Sequence, residues 1–92
     1  MPLPKRVSIR LDENEILALI DASTDYLETS ESYLGSANVQ ALDAALHEGV
    51  SDFAMVKNLD ASSGVLDQCQ TYFYLQLAVR QMQADIDRLR GQ

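Results

Sequence analysis

The stretch 65-VLDQCQTYFYLQLAVRQMQADIDRL-89 decides the fold of this chain. One line of residues spaced seven apart runs through it, namely Val65, Tyr72, Val79 and Ile86. A second line lies three residues further on and consists of Gln68, Leu75, Met82 and Leu89. These are the a and d positions of a heptad, and all but Gln68 are apolar, which predicts one long helix with an apolar seam. Because a single helix cannot bury its own seam, other helices or a second copy of the chain must cover it.

Size and composition indicate one small folded domain. A chain of 92 residues has room for a single hydrophobic core, and 47% hydrophobic residues is too many for a disordered chain. No apolar run reaches about eighteen residues, so no membrane span is expected. The basic N-terminus is not followed by an apolar segment, which argues against a secretory signal. Cys69 is the single cysteine and can form no internal disulfide, so a cytoplasmic location is expected.

Charge divides the chain into two parts. Residues 1–11 carry Lys5, Arg6 and Arg10 and no acid, whereas residues 12–67 carry twelve acids and Lys57 as the single base. The net charge is −7. The acidic part repels a phosphate backbone and attracts a basic protein surface, although acids also simply keep a small protein soluble. We therefore treat residues 1–11 as a basic extended arm or short strand, and residues 12–92 as one acidic helical domain.

The expected fold is all-α, a small bundle of about four helices behind a short N-terminal strand. Val7, Ile9 and Leu11 alternate with polar residues, which is a strand pattern. Asp12 and Glu15 have capping-box spacing, so a first helix is predicted from Asp12 to a point between Tyr26 and Glu31. Ser36 is predicted to cap a second helix over 37–48, followed by a short third helix over 51–58. The long helix is expected over 63–90, ended by Gly91.

Residues that could carry catalysis or hold a metal are sparse. His47 is the single histidine and lies where the second helix is expected to end. Cys69 falls on the inner side of the long helix, where a cysteine usually packs as a small core residue. No phosphate-binding glycine loop, calcium-loop spacing or histidine pair at metal-ligand spacing is present. The prediction is therefore a protein that is not an enzyme and that binds no cofactor and no metal.

Residues 5–21, KRVSIRLDENEILALID, resemble the start of the ribbon–helix–helix family of DNA-binding proteins. In that family a short basic strand pairs with its twin in a dimer, enters the major groove, and leads into a capped helix. The resemblance implies that Arg6, Ser8 and Arg10 would read base edges. It also implies that Val7, Ile9 and Leu11 would enter the dimer core. Nucleic acid is a partner under this alternative alone, in which the chain is a dimeric regulator or an antitoxin.

The first functional prediction is a small acidic interaction module, such as an adaptor, a chaperone-like factor or an inhibitor. Beyond Arg80 the long helix keeps only a narrow apolar stripe, which is typical of a surface that a partner helix covers. The predicted partner-binding residues are Met82, Ile86 and Leu89, with Arg6 and Arg10 of the basic arm added. A basic protein partner and a homodimer are both expected.

Overall fold

The computed structural model describes residues 11–60 and 62–91, which form three α-helices. Helix α1 spans Glu13–Leu34, α2 spans Ser36–His47, and α3 spans Ser63–Arg90. A single 3-10 turn, Phe53–Met55, lies between α2 and α3. The all-α prediction is confirmed, and no strand occurs within these two ranges. The arm or strand predicted over residues 1–11 lies outside the described residues except for Leu11, which is not in a strand.

Helix α1 begins as predicted but ends later. The Glu15 N–H donates to Asp12 Oδ1 at 2.8 Å and the Asp12 N–H donates to Glu15 Oε1 at 3.2 Å, which completes the capping box. The predicted end between Tyr26 and Glu31 is wrong, because the helix runs on to Leu34. The segment stays helical because Leu34 packs in the core and Glu31 accepts a hydrogen bond from Tyr72 of α3. Its hydroxyls are satisfied within the helix, as when Ser30 Oγ donates to the Tyr26 carbonyl at 2.9 Å. The break comes at Gly35, whose φ of 88° and ψ of 149° are incompatible with a helix.

The predicted third helix over 51–58 is wrong, so three helices replace the expected four. After α2 the chain turns at Gly49, with φ 90°, and only the short 3-10 turn follows. The loop is held by side chains of α2 and α3 rather than by its own helical hydrogen bonds. Asn38, which is buried, donates to the Asp60 carbonyl at 2.9 Å and accepts from the Asp60 N–H at 2.8 Å. Tyr74 Oη accepts from the Phe53 N–H at 3.2 Å.

Helices α1 and α3 pack side by side as an antiparallel pair, which we call the hairpin. Helix α2 packs against the end of this pair at which α1 ends and α3 begins. Tyr72 Oη donates to Glu31 Oε1 at 3.1 Å, and Arg90 Nε lies 2.6 Å from Glu13 Oε1. The two contacts are equally far apart on both helices, so one register runs along the whole hairpin. At the α2 end a single core has formed, which consists of Leu27, Leu34, Leu42, Ala45, Leu46, Cys69, Tyr72 and Phe73.

The two lines of the heptad seam are buried unequally. Tyr72 and Ile86 are fully buried, while Val65 and Val79 are half-buried. On the second line Gln68, Leu75 and Met82 are half-buried, and Leu89 is exposed. Helix α1 therefore covers the first line along the hairpin and leaves the outer edge of the second line open.

Candidate functional site

The sequence-predicted stripe on α3 does not form one surface. Ile86 has no exposed area, so a partner could reach it only if α1 and α3 separated, and its role as a partner contact stays a prediction. It is buried because α1, which is longer than predicted and antiparallel to α3, reaches this end of the hairpin. Met82 is half-buried and Leu89 is 40% exposed, so these two still reach the surface. Arg6 and Arg10 lie outside the described residues.

A second heptad row lies on the outside of α1, and the sequence prediction did not include it. Steps of four and three residues connect Glu15, Leu19, Ala22, Tyr26, Thr29 and Tyr33. All six are exposed, and the large ones strongly so, with Leu19 at 45%, Tyr26 at 46% and Tyr33 at 61%. The signal was present in the sequence as a row parallel to the buried one. It was hidden because Leu19 reads equally well as part of the core face.

A matching row follows the outer edge of α3. The same alternation of four and three connects Thr71, Leu75, Ala78, Met82, Asp85 and Leu89. Thr71, Ala78 and Leu89 are exposed, and the other three are half-buried. A shallow groove of about 660 Å³ runs along this helix and is lined in part by Thr71, Leu75 and Ala78.

The two rows lie on the same side of the hairpin. Successive residues of an α-helix are rotated by about 100° around its axis. Each row lies roughly a quarter turn from the buried line of its helix, on the side of the preceding residue. Displacements of the same sense on two antiparallel helices point to the same side of the pair. Cys69 and Phe73 are displaced in the opposite sense and belong to the core shared with α2, so α2 covers the other side. We call the apolar members of both rows the open face: Leu19, Ala22, Tyr26, Tyr33, Leu75, Ala78, Met82 and Leu89.

Acidic residues border the open face. Glu15 belongs to the α1 row itself, and Asp25 follows three residues after Ala22. Asp67 lines the groove along α3, and Asp85 belongs to the α3 row. Asp85 is paired with Arg88 at 2.9 Å, and that pair is exposed and therefore contributes little to stability. The surroundings of the open face thus carry an excess of negative charge.

A separate group of polar side chains lies where α1, α2 and α3 meet, with Tyr72 buried and Glu31 and Asp43 exposed. Tyr72 donates to Glu31 and accepts a hydrogen bond from Gln76 Nε2 at 3.1 Å. Burial raises the pKa of Tyr72 to about 12; the carboxylates of Asp43 and Glu31 add to this, and the hydrogen bond from Gln76 opposes it. Burial also raises the pKa of Asp43, with a further contribution from Glu31, while Arg80 lowers it. Every member has a structural explanation, so this network reads as a clamp that holds the helices together.

The two side chains considered for chemistry, Cys69 and His47, lie in different surroundings, one buried and one exposed. Cys69 is a free cysteine with no exposed area, and its burial raises the pKa of the thiol, so the thiolate nucleophile is disfavoured. His47 is exposed in the last turn of α2. Among residues 11–60 and 62–91 there is no group of three His, Cys, Asp or Glu side chains placed to hold a metal ion. None of the helices described is long and apolar enough to cross a membrane.

Comparison with protein-family models, with curated proteins and with solved structures gave no match to this chain.

Proposed function

We propose that the chain is a protein-interaction module that binds a basic protein partner through the open face and its acidic border. The observation that carries the proposal is the exposed row on α1, in which Leu19, Tyr26 and Tyr33 recur at seven-residue spacing on the surface. Large contiguous apolar patches are rare on monomeric soluble proteins and mark binding sites where they occur. Tyrosine is also among the residues enriched at protein interfaces.

Charge supports a basic partner. Residues 12–67 carry twelve acids against Lys57, and the open face is bordered by Glu15, Asp25, Asp67 and Asp85. A surface of one sign steers a partner of the opposite sign and suppresses association with acidic proteins. An adaptor, a chaperone-like factor or an inhibitor would each work in this way, with no catalytic group of its own. A cytoplasmic location fits the free thiol of Cys69.

The homodimer expected from the sequence is a competing proposal for the same surface. A second copy placed on the open face would cover the apolar rows of both chains. It would also bring two acidic borders together, since each chain has a net charge of −7. Like charges facing each other across an interface cost free energy, so we favour the basic partner.

Affinity capture with paired variants tests the proposal. The wild-type chain, an open-face variant (Leu19→Ser with Tyr26→Ser) and a control variant (Leu66→Ser with Met55→Ser) serve as bait in extracts of the cells that make the protein. The control residues are comparably exposed, at 41% and 63%, but lie off the open face. We expect a basic protein to be retained by the wild type and the control and lost by the open-face variant. Retention by all three baits would contradict the proposal.

A second candidate function is a dimeric ribbon–helix–helix regulator or antitoxin. The capped start of α1 directly behind the basic arm supports it, as does Leu11, which is 38% exposed and free to enter an interface between chains. Under this proposal the full chain binds duplex DNA at physiological salt, and replacing both Arg6 and Arg10 by alanine abolishes that binding. An electrophoretic shift that is absent for wild type, or that survives both substitutions, would exclude base reading by the arm.

A further inference from the structure

We infer that the occupant of the open face is a single amphipathic helix with basic flanks, about 20 residues long, which lies in the furrow between α1 and α3. This inference rests on the proposed function and specifies the shape of the partner. It follows from the spacing of the two rows, from the backbone chemistry of the surface and from the charge of its border.

The spacing of the rows matches a helix. Both rows repeat every seven residues, a rise of about 10.5 Å at 1.5 Å per residue. An amphipathic helix presents its own a and d residues at the same interval, so its side chains can enter the gaps between successive members of each row. In the register set by Glu31 with Tyr72 and Glu13 with Arg90, Tyr26 lies level with Leu77, beside Ala78 of the opposite row.

The length of the face sets the length of the partner. In that register the α3 row ends with Leu89 level with Asn14, and the α1 row ends at Tyr33. The face therefore extends over about 19 residues of α1, or about 29 Å. A helix of about 20 residues covers this distance.

Backbone chemistry favours a helix over an extended segment. The face is made of two helices whose backbone groups are already paired within each helix, so it offers no sheet edge to which a strand could be added. An extended peptide buried on such a face would leave its N–H and C=O groups unpaired, which is costly. A helix pairs its backbone internally and buries only one apolar face.

The border selects the flanks of the partner. Glu15 and Asp85 are members of the two rows, Asp25 lies on the outer side of the α1 row, and Asp67 lines the groove along α3. Lys or Arg residues that flank the apolar face of the partner helix would meet these carboxylates on both sides. An acidic helix of the same apolar pattern would be repelled, so charge decides between two otherwise equal ligands.

Three synthetic peptides of 21 residues test this inference against the full chain. The first has leucine at the a and d positions of three heptads and lysine elsewhere, the second has the same composition in shuffled order, and the third has glutamate in place of lysine. Binding is measured by fluorescence anisotropy at 150 mM NaCl with wild type, the Leu19→Ser/Tyr26→Ser variant and the Leu66→Ser/Met55→Ser control. Tyr33→Ser, at the most exposed member of the face, is a second open-face variant should the double variant lose its circular dichroism signal.

We expect the first peptide to bind wild type and the control at least ten-fold more tightly than the shuffled and acidic peptides, and the open-face variants to weaken it at least ten-fold. Equal binding of the shuffled peptide, still weakened by the open-face variants, would overturn the helix and leave the proposed function standing. Binding that the open-face variants do not weaken, or no binding at all, would overturn both the helix and the proposed function. Equal binding of the acidic peptide would overturn the charge argument. A peptide-free dimer that the open-face variants dissociate would identify a second copy as the occupant instead.

Discussion

Asn38 shows how one buried amide can replace an element of secondary structure. Its side chain makes three hydrogen bonds, one of them to the Leu34 carbonyl at 3.0 Å and two to the backbone of Asp60. The pairing with Asp60 resembles one rung of a sheet, since the amide both donates to the backbone and accepts from it. The loop after α2 is thereby held against the helices without a helix of its own.

Replacing Asn38 by alanine is expected to destabilise the protein by about 1–3 kcal/mol, because the Asp60 backbone groups lose their partners in a partly buried site. Urea unfolding followed by circular dichroism at 222 nm measures the change. Gln40→Ala, at an exposed position of the same helix, is the matched control and should lie within about 0.5 kcal/mol of wild type. Equal stability of the two variants would show that the hydrogen bonds between Asn38 and Asp60 contribute nothing to stability.

Tyr72 should make stability depend on pH at the alkaline end. Its pKa is raised from 10.0 to about 12 in the folded chain, so the native state keeps the proton after the unfolded state has lost it. The contribution to stability is complete below pH 10 and is lost as the pH rises from 10 to about 12.

Absorbance at 295 nm checks this directly, since one of the four tyrosines should ionise late and together with unfolding. Tyr72→Phe removes the late step, whereas Tyr33→Phe, at an exposed position, leaves it unchanged. A late step that persists in Tyr72→Phe would assign the raised pKa to another tyrosine.

Gly35 and Gly64 both lie at helix ends and can be compared directly by substitution. A Cβ added at either position meets no atom within 4 Å, so sterics with neighbours do not distinguish them. Gly35 has φ 88° and separates α1 from α2, whereas Gly64 lies inside the first turn of α3. Any difference between alanine variants at the two sites therefore reports the backbone conformation alone.

Gly35→Ala is expected to cost about 1–3 kcal/mol, because an L side chain is strained at that φ and ψ. Gly64→Ala should be neutral or stabilising by up to about 1 kcal/mol, since alanine loses less backbone entropy in a helix. Thermal unfolding of the two variants side by side measures both changes. A Gly35→Ala protein as stable as Gly64→Ala would mean that the helix break tolerates a rearranged turn.

Ile86 and Leu89 both belong to the seam, but Ile86 is buried in the hairpin and Leu89 is exposed. Ile86→Ala should destabilise by about 2–5 kcal/mol, because it opens a cavity at a fully buried position. Leu89→Ala should cost less than about 1 kcal/mol, since Leu89 is already 40% exposed. Urea midpoints of the two variants provide the comparison, and equal losses would place Leu89 in the core as well.

Long-range pairing separates what the sequence predicts from what it leaves open. The capping box of Asp12 and Glu15, the bounds of α2 to within one residue, and the long helix α3 follow from local chemistry and were predictable. The extent of α1 through Thr29–Ser32 and the absence of a helix over 51–58 were not. The first depends on the packing of Leu34 in the core and on the contact of Glu31 with Tyr72, 41 residues further on. The second depends on Asn38, which lies 22 residues before Asp60. For the candidate site, the surface positions Met82 and Leu89 were predictable from the heptad pattern. The burial of Ile86 and the exposure of the row from Leu19 to Tyr33 were not, because they depend on how α1 docks against α3.

Across the whole molecule, charge opposes folding. The net charge is −7, and the two ion pairs formed by described residues, Arg88 with Asp85 and Arg90 with Glu13, are both exposed. Repulsion spread over a small surface is screened by salt within about 10 Å at 0.1 M. Such a protein gains stability when counterions are added.

Raising NaCl from about 10 to 150 mM is therefore expected to raise the Tm by several degrees, which corresponds to about 1 kcal/mol at roughly 4–8 °C per kcal/mol for a domain of this size. Scanning calorimetry at pH 7 gives the shift in Tm. Asp43→Asn removes a carboxylate whose pKa is raised by burial and by repulsion from Glu31, so the Tm of this variant should rise less with salt. A Tm that falls with salt would mean that the exposed ion pairs outweigh the repulsion.

Helix α1 packs mainly against α3, and the contact between Glu13 and Arg90 spans most of the chain. On the ribosome, residues 35–90 must be added after α1 is complete, which takes roughly 3–11 s at about 5–20 residues per second. After α1 has left the ribosome and before α3 has followed it, both long rows of α1 face solvent, the one that α3 will bury and the one that stays outside. The growing chain thus exposes more apolar surface before synthesis is complete than after it. A partner helix present at that moment would compete with α3 for binding to α1.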